Sequence, residues 1–501
     1  MGAAVGGGKG IAAPYTAGAP RCHTAHMRLL HALLLACLLG GCAVPRDDDD
    51  ATPVPQDDDD ATGDDDDATG DDDTAGDDDD ATGDLGTIDG IVAALGAATP
   101  TEADAVLHAV AWSQGWPVQE GTRWLFVTRI DGASSVALVG DFNLWNLGAH
   151  PASSTAGGAF WWAEVDESEF VAPPAGGRYK WYLAAGGGEF RAGDEATAYG
   201  YDEFGPFGYV APPTDTRWAE RFPALLTAAL PLPRTVRGLL PPGFQPGSPS
   251  AGRTRTILMH DGQNLFDPEA IGGGWRVDEA LNGEAAWDDV VVLAVDNAAD
   301  RLDVYGHVPD DIFDDGSSYG GRSGEYLALL ADEVLPFARG RYGLVATGAS
   351  LAMAGSSMGG LVTLEAARRW DGTLGCAAAL SPTLGWGAFG TSASGAAALV
   401  NQWPDDPGHG STPLFLYSGG SEGNGCVDTD GDGVDEDSQD SDGYCVNVQF
   451  RDMLAGLGYV FEADLWHWWE PLAQHNEAAW AAQVSRMLTS CEASGWVAAQ
   501  P

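Results

Sequence analysis

Apolar and polar positions divide this chain into three regimes. Between residues 122 and 210 the apolar residues come in short, aromatic-rich runs: Trp124-Leu-Phe-Val-Thr128, Val136-Ala-Leu-Val139, Phe160-Trp-Trp162 and Tyr179-Lys-Trp-Tyr-Leu183, with Gly-rich turns between them. Strands at that spacing predict a small β-sandwich. From about residue 235 the runs become mainly aliphatic, as buried strands are, at 256–259, 290–295, 350–354, 376–380 and 414–417, with a further strand run at 460–466. Helical spacing lies between several of them, as over 325–339 and 448–457. Buried strands alternating with helices predict a parallel sheet covered on both faces. Ahead of both, residues 47–84 carry almost nothing to bury: DDDD blocks alternate with ATG, TAG and ATPVPQ. Such a tract repels itself and predicts an extended, disordered tether.

The net charge of −50 in 501 residues is therefore uneven, much of it lying in that tether. An acidic chain without a basic stripe excludes nucleic acid as a partner. Just before the tether, Met27-Arg-Leu-Leu-His-Ala-Leu-Leu-Leu-Ala-Cys-Leu-Leu-Gly-Gly-Cys42 has a basic start, a short apolar run and a small-residue exit. That is the pattern of a secretory signal, and its apolar run is too short to span a bilayer. The ending Leu39-Gly-Gly-Cys42 resembles the bacterial lipobox, which implies a lipid on Cys42 and an exported lipoprotein. Ala43 after the cysteine implies the outer membrane, and Met27 is a candidate start. Domains are expected at 1–42 (leader and signal), 43–100 (Asp-rich linker), 101–212 (sandwich) and 213–501 (α/β domain). Export puts Cys376, Cys426, Cys445 and Cys491 in an oxidising compartment. Three pairings are possible; Cys426–Cys445 is the expected bridge, closing a short acidic loop, while Cys376, in an apolar run, is open between a buried thiol and a bond to Cys491.

The chemistry centres on Ala354-Gly-Ser-Ser357-Met-Gly-Gly360. It fits G-x-S-x-G with Ser357 at the middle, after an apolar run and before the helically spaced Leu361 and Leu364. A strand turning sharply into a helix lifts a serine hydroxyl above a sheet, and with this turn the predicted sheet becomes that of an α/β-hydrolase. A serine needs a histidine base, and the base an orienting carboxylate. Of the histidines beyond Ser357, His475 follows the last predicted strand and precedes a helical segment. His467 ends an aromatic-rich strand and His409 sits in a loop. The acid is expected just after the strand 414–417, where Glu422 is the first carboxylate and Asp428 and Asp430 are its rivals. An oxyanion hole needs two N–H donors. The residue after the nucleophile, Met358, supplies one, and Gln263, in the loop after the strand 256–259, is the candidate for the other.

Two stretches carry resemblances. Val136-Ala-Leu-Val-Gly-Asp-Phe-Asn-Leu-Trp145 is similar to the early-set, immunoglobulin-like domains related to glycogen-binding modules. That similarity implies an immunoglobulin-like sandwich; Trp161, Trp162 or Trp181 could stack on a glycan, but rings that fill the sandwich core and its domain interface are the favoured reading, since many such domains precede catalytic domains without binding glycans. The run His260-Asp-Gly-Gln-Asn-Leu-Phe-Asp267, the segment ending Ala-Arg-Gly-Arg-Tyr342, the turn at Ser357 and His475-Asn-Glu-Ala-Ala-Trp480 together resemble an esterase family. It includes enterochelin, feruloyl and acetyl-xylan esterases, esterase D and the mycolyltransferases. The resemblance implies an α/β-hydrolase fold, an ester substrate, no catalytic cofactor, Ser357 and His475 in the nucleophile and base positions, and Glu422 as acid by analogy with the mycolyltransferases. It leaves an acyltransferase or a silent glycan-binding lipoprotein as alternatives.

The chain departs from that family between 423 and 445. Asp428, Asp430 and Asp432 fall at positions 1, 3 and 5 of a calcium loop, with Gly433 at 6 and Val434 at 7. Gln439 stands where an EF-hand has Glu, so the loop is closer to the Asp-rich repeats of thrombospondin type. A structural Ca²⁺ beside the active site is the expectation.

Overall fold

A computed structural model describes residues 84–155, 158–184, 188–390, 396–436 and 442–499. The signal, Cys42, the acidic tether up to residue 83 and Gln439 lie outside the described residues.

Order begins earlier than the expected boundary at residue 101. Two helices, Ile88–Ala97 and Pro100–Ser113, precede the sandwich. The second opens on a capping box: Glu102 N–H donates to Thr99 Oγ1 at 3.4 Å and Thr99 N–H to Glu102 Oε2 at 2.8 Å, with Pro100 at the first position. Ile88, Ile91, Leu95, Leu107 and Val110 from these helices share a core with Leu125, Val127 and Phe160. Residues 88–100 therefore belong to the folded domain and not to the linker, because spacing of three and four puts their apolar residues on one face.

The sandwich uses ten strands: β1 (Val118–Glu120), β2 (Arg123–Arg129), β3 (Val136–Gly140), β4 (His150–Pro151), β5 (Ser153–Ser154), β6 (Phe160–Asp166), β7 (Arg178–Leu183), β8 (Glu189–Arg191), β9 (Ala198–Asp202) and β10 (Gly205–Tyr209). One sheet runs β1-β2-β6-β5, and the other contains β9-β10-β7-β3-β4, with β8 on β7. Their inner faces meet in one cluster that includes Trp124, Phe126 and Trp161 from the first and Leu138, Tyr179 and Trp181 from the second. Trp161 and Trp181 are thus core, and Trp162 packs against the N-terminal helices. This is the core-filling role favoured over a glycan platform from the sequence: the large apolar area of these rings is what fills a sandwich this small.

The α/β part adds β11 (Trp218–Leu225), β12 (Arg234–Leu240), β13 (Arg255–His260), β14 (Val290–Val295), β15 (Pro309–Asp310), β16 (Tyr319–Gly320), β17 (Gly348–Ser356), β18 (Leu374–Leu380), β19 (Leu414–Gly419) and β20 (Leu465–Glu470). The order β20-β19-β18-β17-β13-β14 is parallel throughout, and β12 and β11 continue it antiparallel. One face packs Ile257, Val292, Ala352, Ala378 and Phe415 against Val484, Met487 and Leu488 of the helix Val484–Ala493. On the other, Leu258, Leu293, Met353 and Leu416 are equally buried. The helix Met358–Arg369 packs there along β17 and β18, and Tyr444–Leu457 along β19. The last strand starts five residues later than the run at 460–466 implies, since Val460 and Phe461 are exposed in a turn ahead of Leu465.

The expected boundary at 212/213 does not separate two sheets. β11 pairs antiparallel with β9, Ala219 opposite Tyr199 and Glu220 opposite Ala198, so a single sheet runs from the sandwich into the α/β part. Each edge satisfies the other's unpaired backbone groups. Cys376 is not a free thiol: it is bonded to Cys491 across 115 residues, tying β18 to the C-terminal helix. On the chain-entropy account, closing a loop of that length contributes about 4–5 kcal/mol. Cys426 and Cys445 are joined as well.

Candidate active site

β17 delivers the chain to Ser357, and the helix Met358–Arg369 starts at the next residue. Ser357 has φ 55° and ψ −125°, a conformation that a residue with a Cβ adopts at a cost of about 1–3 kcal/mol. Its N–H donates to Leu380 O at 3.0 Å, its carbonyl accepts from Thr383 N at 3.2 Å, and its hydroxyl lies 3.5 Å from Thr383 Oγ1. Gly355 is a packing requirement here. A Cβ on it would stand 2.5 Å from Gly359 O and 2.8 Å from His260 Cδ2, so strand, helix and the His260 ring close in only without one. Met358 opens the helix, where backbone N–H groups have no acceptor within the helix.

The loop after β13 lies against this turn. Asp261 Oδ2 is 3.2 Å from the place a Gly359 Cβ would take. Asp261 is buried at φ 55°, receives Arg301 Nε at 2.8 Å and Nη2 at 2.9 Å, and accepts from Asn297 Nδ2 at 2.6 Å. Burial would push its carboxyl up, but Arg301 and Asn297 hold it below the usual carboxylate range. Burial lowers His260 to about 4, so its ring is neutral, with Nδ1 2.9 Å from Tyr326 OH. Gln263 sits on the short turn Gly262–Asn264 of this loop, its Oε1 accepting Asn297 N–H at 3.1 Å.

His475 stands after β20, just ahead of the helix Glu477–Ala481. Its Nδ1 lies 2.6 Å from Asp442 Oδ1. The other oxygen of Asp442 accepts from Ser381 Oγ at 2.7 Å and from Gly419 N–H at 2.5 Å. Ser381 follows β18 and also accepts from Trp480 Nε1 at 3.1 Å. A continuous set of bonds therefore runs along the carboxyl ends of β17 to β20, from the Ser357 backbone through Leu380 and Ser381 to Asp442 and His475.

This corrects the expectation for the acid. Glu422 is exposed in the turn after β19 and makes no bond to His475 among the described residues. Asp428 and Asp430 are also exposed and turn into a cluster of their own. The chain leaves β19 at Gly419, and 23 residues later the Asp442 carboxylate accepts the N–H of that same Gly419. In sequence, Asp442 is recognisable only as the carboxylate directly before the helix Tyr444–Leu457.

His467 and His409 are elsewhere. His467 is held between Ser418 Oγ and Arg451 Nη1, each at 3.4 Å, and burial followed by the Arg451 charge lowers it to about 4. His409 is 3.5 Å from Asp464 at the surface. Between β19 and Asp442, carboxylate oxygens of Asp428, Asp430, Asp432 and Glu436 all lie within 4.8 Å of one another. Asp428 accepts N–H bonds from Gly431, Asp432 and Gly433, and Asp432 one from Val434. Glu436 is the member the sequence reading did not include.

A parallel sheet, a serine in strained backbone at the strand-to-helix turn and a His–Asp pair beyond the next strands place the molecule in the class of α/β-type ester hydrolases. The family described as "Putative esterase" matches residues 227–491, over half of the chain, and the protein belongs to it. Similar solved structures include the enterobactin esterase FES from Shigella flexneri, at 12% identity and TM-score 0.38, covering 74% of this chain and 92% of that one. A ferulic acid esterase is similar at 14% identity and TM-score 0.40, with 56% and 100% coverage. The siderophore hydrolase EstB from Aspergillus nidulans is similar at 17% identity and TM-score 0.39, with 55% and 94% coverage. No protein of curated function matches the chain.

The geometry separates the two candidate acids. Asp442→Asn is expected to lower kcat for a p-nitrophenyl ester by roughly 10²–10⁴, while Glu422→Gln leaves it unchanged. Steady-state kinetics on both variants check this, and equal losses would return Glu422 to the site.

Proposed function

We propose that this chain is an exported serine ester hydrolase that works through an acyl-enzyme. Ser357 Oγ attacks the ester carbonyl as His475 takes its proton. The tetrahedral oxyanion is held by the Met358 and Gln263 N–H groups. Collapse releases the alcohol, which leaves with the proton returned by His475. Water, activated by His475 in turn, then attacks the acyl carbonyl, and the carboxylic acid departs with Ser357 regenerated. Asp442, bonded to Nδ1, keeps the His475 proton on that nitrogen and leaves Nε2 to act as the base.

The observation that carries this reading is the Ser357 conformation, φ 55° and ψ −125°, at the junction of a central parallel strand and a helix. Strain held at one polar residue by the surrounding structure points to function. A fluorophosphonate is expected to label Ser357 in the native protein and not in Ser357→Ala. That variant should lose ester hydrolysis by roughly 10³-fold or more while keeping its melting temperature. Retained turnover in Ser357→Ala would sink the assignment.

We further propose that Asp428, Asp430, Asp432 and Glu436 hold a divalent cation. Four carboxylates converging within 4.8 Å repel one another, and an all-oxygen set suits a hard ion such as Ca²⁺. Asp432 is already pushed up by burial and by Asp430, Glu436 and Asp428 around it. Asp442 lies six residues past Glu436, and the Cys426–Cys445 bond pins the segment just beyond it. Chelation should lower both melting temperature and turnover, and added Ca²⁺ should restore both, whereas Asp430→Asn should be insensitive to either. Identical melting with and without chelator would reduce the cluster to solvated acid.

Export is supported by the two disulfides among the described residues, which persist in an oxidising compartment. With lipid on Cys42 the protein would be membrane-anchored. Cys42→Ala is expected to move it from the membrane to the soluble fraction, and a variant still sedimenting with membranes would place the anchor elsewhere.

A further inference from the structure

The loop that presents Gln263 is supported from behind by a short segment, and that segment is held in turn by the sandwich. Asp296 directly follows β14. Its Oδ1 is 2.7 Å from the place a Cβ on Gly262 would occupy, so the loop rests on this carboxylate. The next residue, Asn297, bonds both Gln263 Oε1 and Asp261 Oδ1. Asp296 is fixed by Arg237 of β12, whose Nε and Nη2 donate to its two oxygens at 2.6 and 2.7 Å. The remaining terminal nitrogen of Arg237, Nη1, donates to Tyr199 OH at 2.8 Å. Tyr199 is a sandwich residue, on β9, 1% exposed, and it shares the α/β core with Leu265 and Phe266 at the far end of the same loop. Its ring lies under Arg221, whose guanidinium carbon is 4.7 Å from the ring centre.

We infer that Tyr199 is a positioning residue for the ester hydrolysis proposed above: through Arg237 and Asp296 it fixes the loop that presents the Gln263 N–H, so the sandwich is part of the catalytic apparatus. The inference rests on the serine mechanism. A bidentate Arg–carboxylate pair has little angular freedom. The Tyr199 hydroxyl occupies the third direction of the guanidinium fork, and β9–β11 pairing fixes where that hydroxyl lies. Without it Arg237 and Asp296 can swing together, and the surface under Gly262 moves with them. An oxyanion donor acts only when aimed at the developing charge, so this slack appears in the transition state and not in substrate binding.

The test uses the full chain, p-nitrophenyl acetate as substrate and a fluorophosphonate to titrate active Ser357, so that kcat refers to functional sites only. Tyr199→Phe keeps the ring and removes the hydroxyl. It is expected to lower kcat per titrated site about 10-fold, with KM within about two-fold of wild type, and to weaken inhibition by phenylboronic acid by the same factor, since the boronate adduct mimics the tetrahedral oxyanion. Asp296→Asn keeps the volume and should shift the same three quantities in the same direction. The double variant should be no worse than the more severe single change, because both act on one support. Asp296→Asn also serves as the readout if Tyr199→Phe does not fold. Unchanged kcat per site and unchanged boronate affinity in a folded variant would overturn the inference and leave Tyr199 a domain-joining contact. Failure of wild-type Ser357 to react with the fluorophosphonate would instead overturn the serine mechanism itself.

Discussion

Ser357 sits in backbone geometry that L-residues avoid, and much of the surrounding packing follows from holding it there. The turn is gripped from three sides. β17 is hydrogen-bonded to β13 and β18, the helix Met358–Arg369 lies across the sheet, and the Ser357 peptide is bonded to Leu380 and Thr383. The close approach at Gly355 is filled by the His260 ring, and a ring in that place must be neutral, as burial makes it. Tyr326 bonds that ring and Tyr305 packs beside both, so the floor beneath Ser357 is aromatic and closely packed. Strain of about 1–3 kcal/mol is tolerable only against such a background.

Charge is handled differently in the interior and at the surface. The chain is strongly acidic, yet three buried ion pairs converge on the segment after β14. Asp296 pairs with Arg237, Asp300 with Arg234 and Arg301 with Asp261. Six residues thus join β12, the loop after β13 and the turn after β14. Such pairs add little net stability over apolar replacements, but losing one partner strands a buried charge at a cost of about 3–5 kcal/mol. Their effect is to make one arrangement of these segments far better than any neighbouring one, which holds the loop after β13 in a single place beside Ser357.

The union of the sandwich with the α/β sheet follows from the same economy of edges. β9 and β11 would each present unpaired backbone groups to solvent, and joining them removes both edges. The sandwich is then fixed to the catalytic part by backbone pairing, by Trp112 Nε1 on Pro223 O and by Tyr199, and does not hang on a flexible linker.

Local order in the sequence determined whatever depends on neighbours along the chain. The apolar runs located the parallel strands, with β14 matching its run over Val290–Val295. The glycines around Ser357 announced a strand-to-helix turn, because such a turn has few sequence solutions. His475 was legible for the same reason, as the histidine between the last strand and a helix cap. Only tertiary structure decided the rest. The carboxylate facing His475 is chosen by where the chain stands ahead of the helix Tyr444–Leu457, so Asp442 rather than Glu422, which is nearer to β19 in sequence, reaches Gly419 and His475. The Cys376–Cys491 bond spans 115 residues, beyond any local rule. Periodicity reports which residues want burial, while the partner that buries, bonds or charges each one is set by chain segments far away, and no spacing rule along the sequence carries that distance.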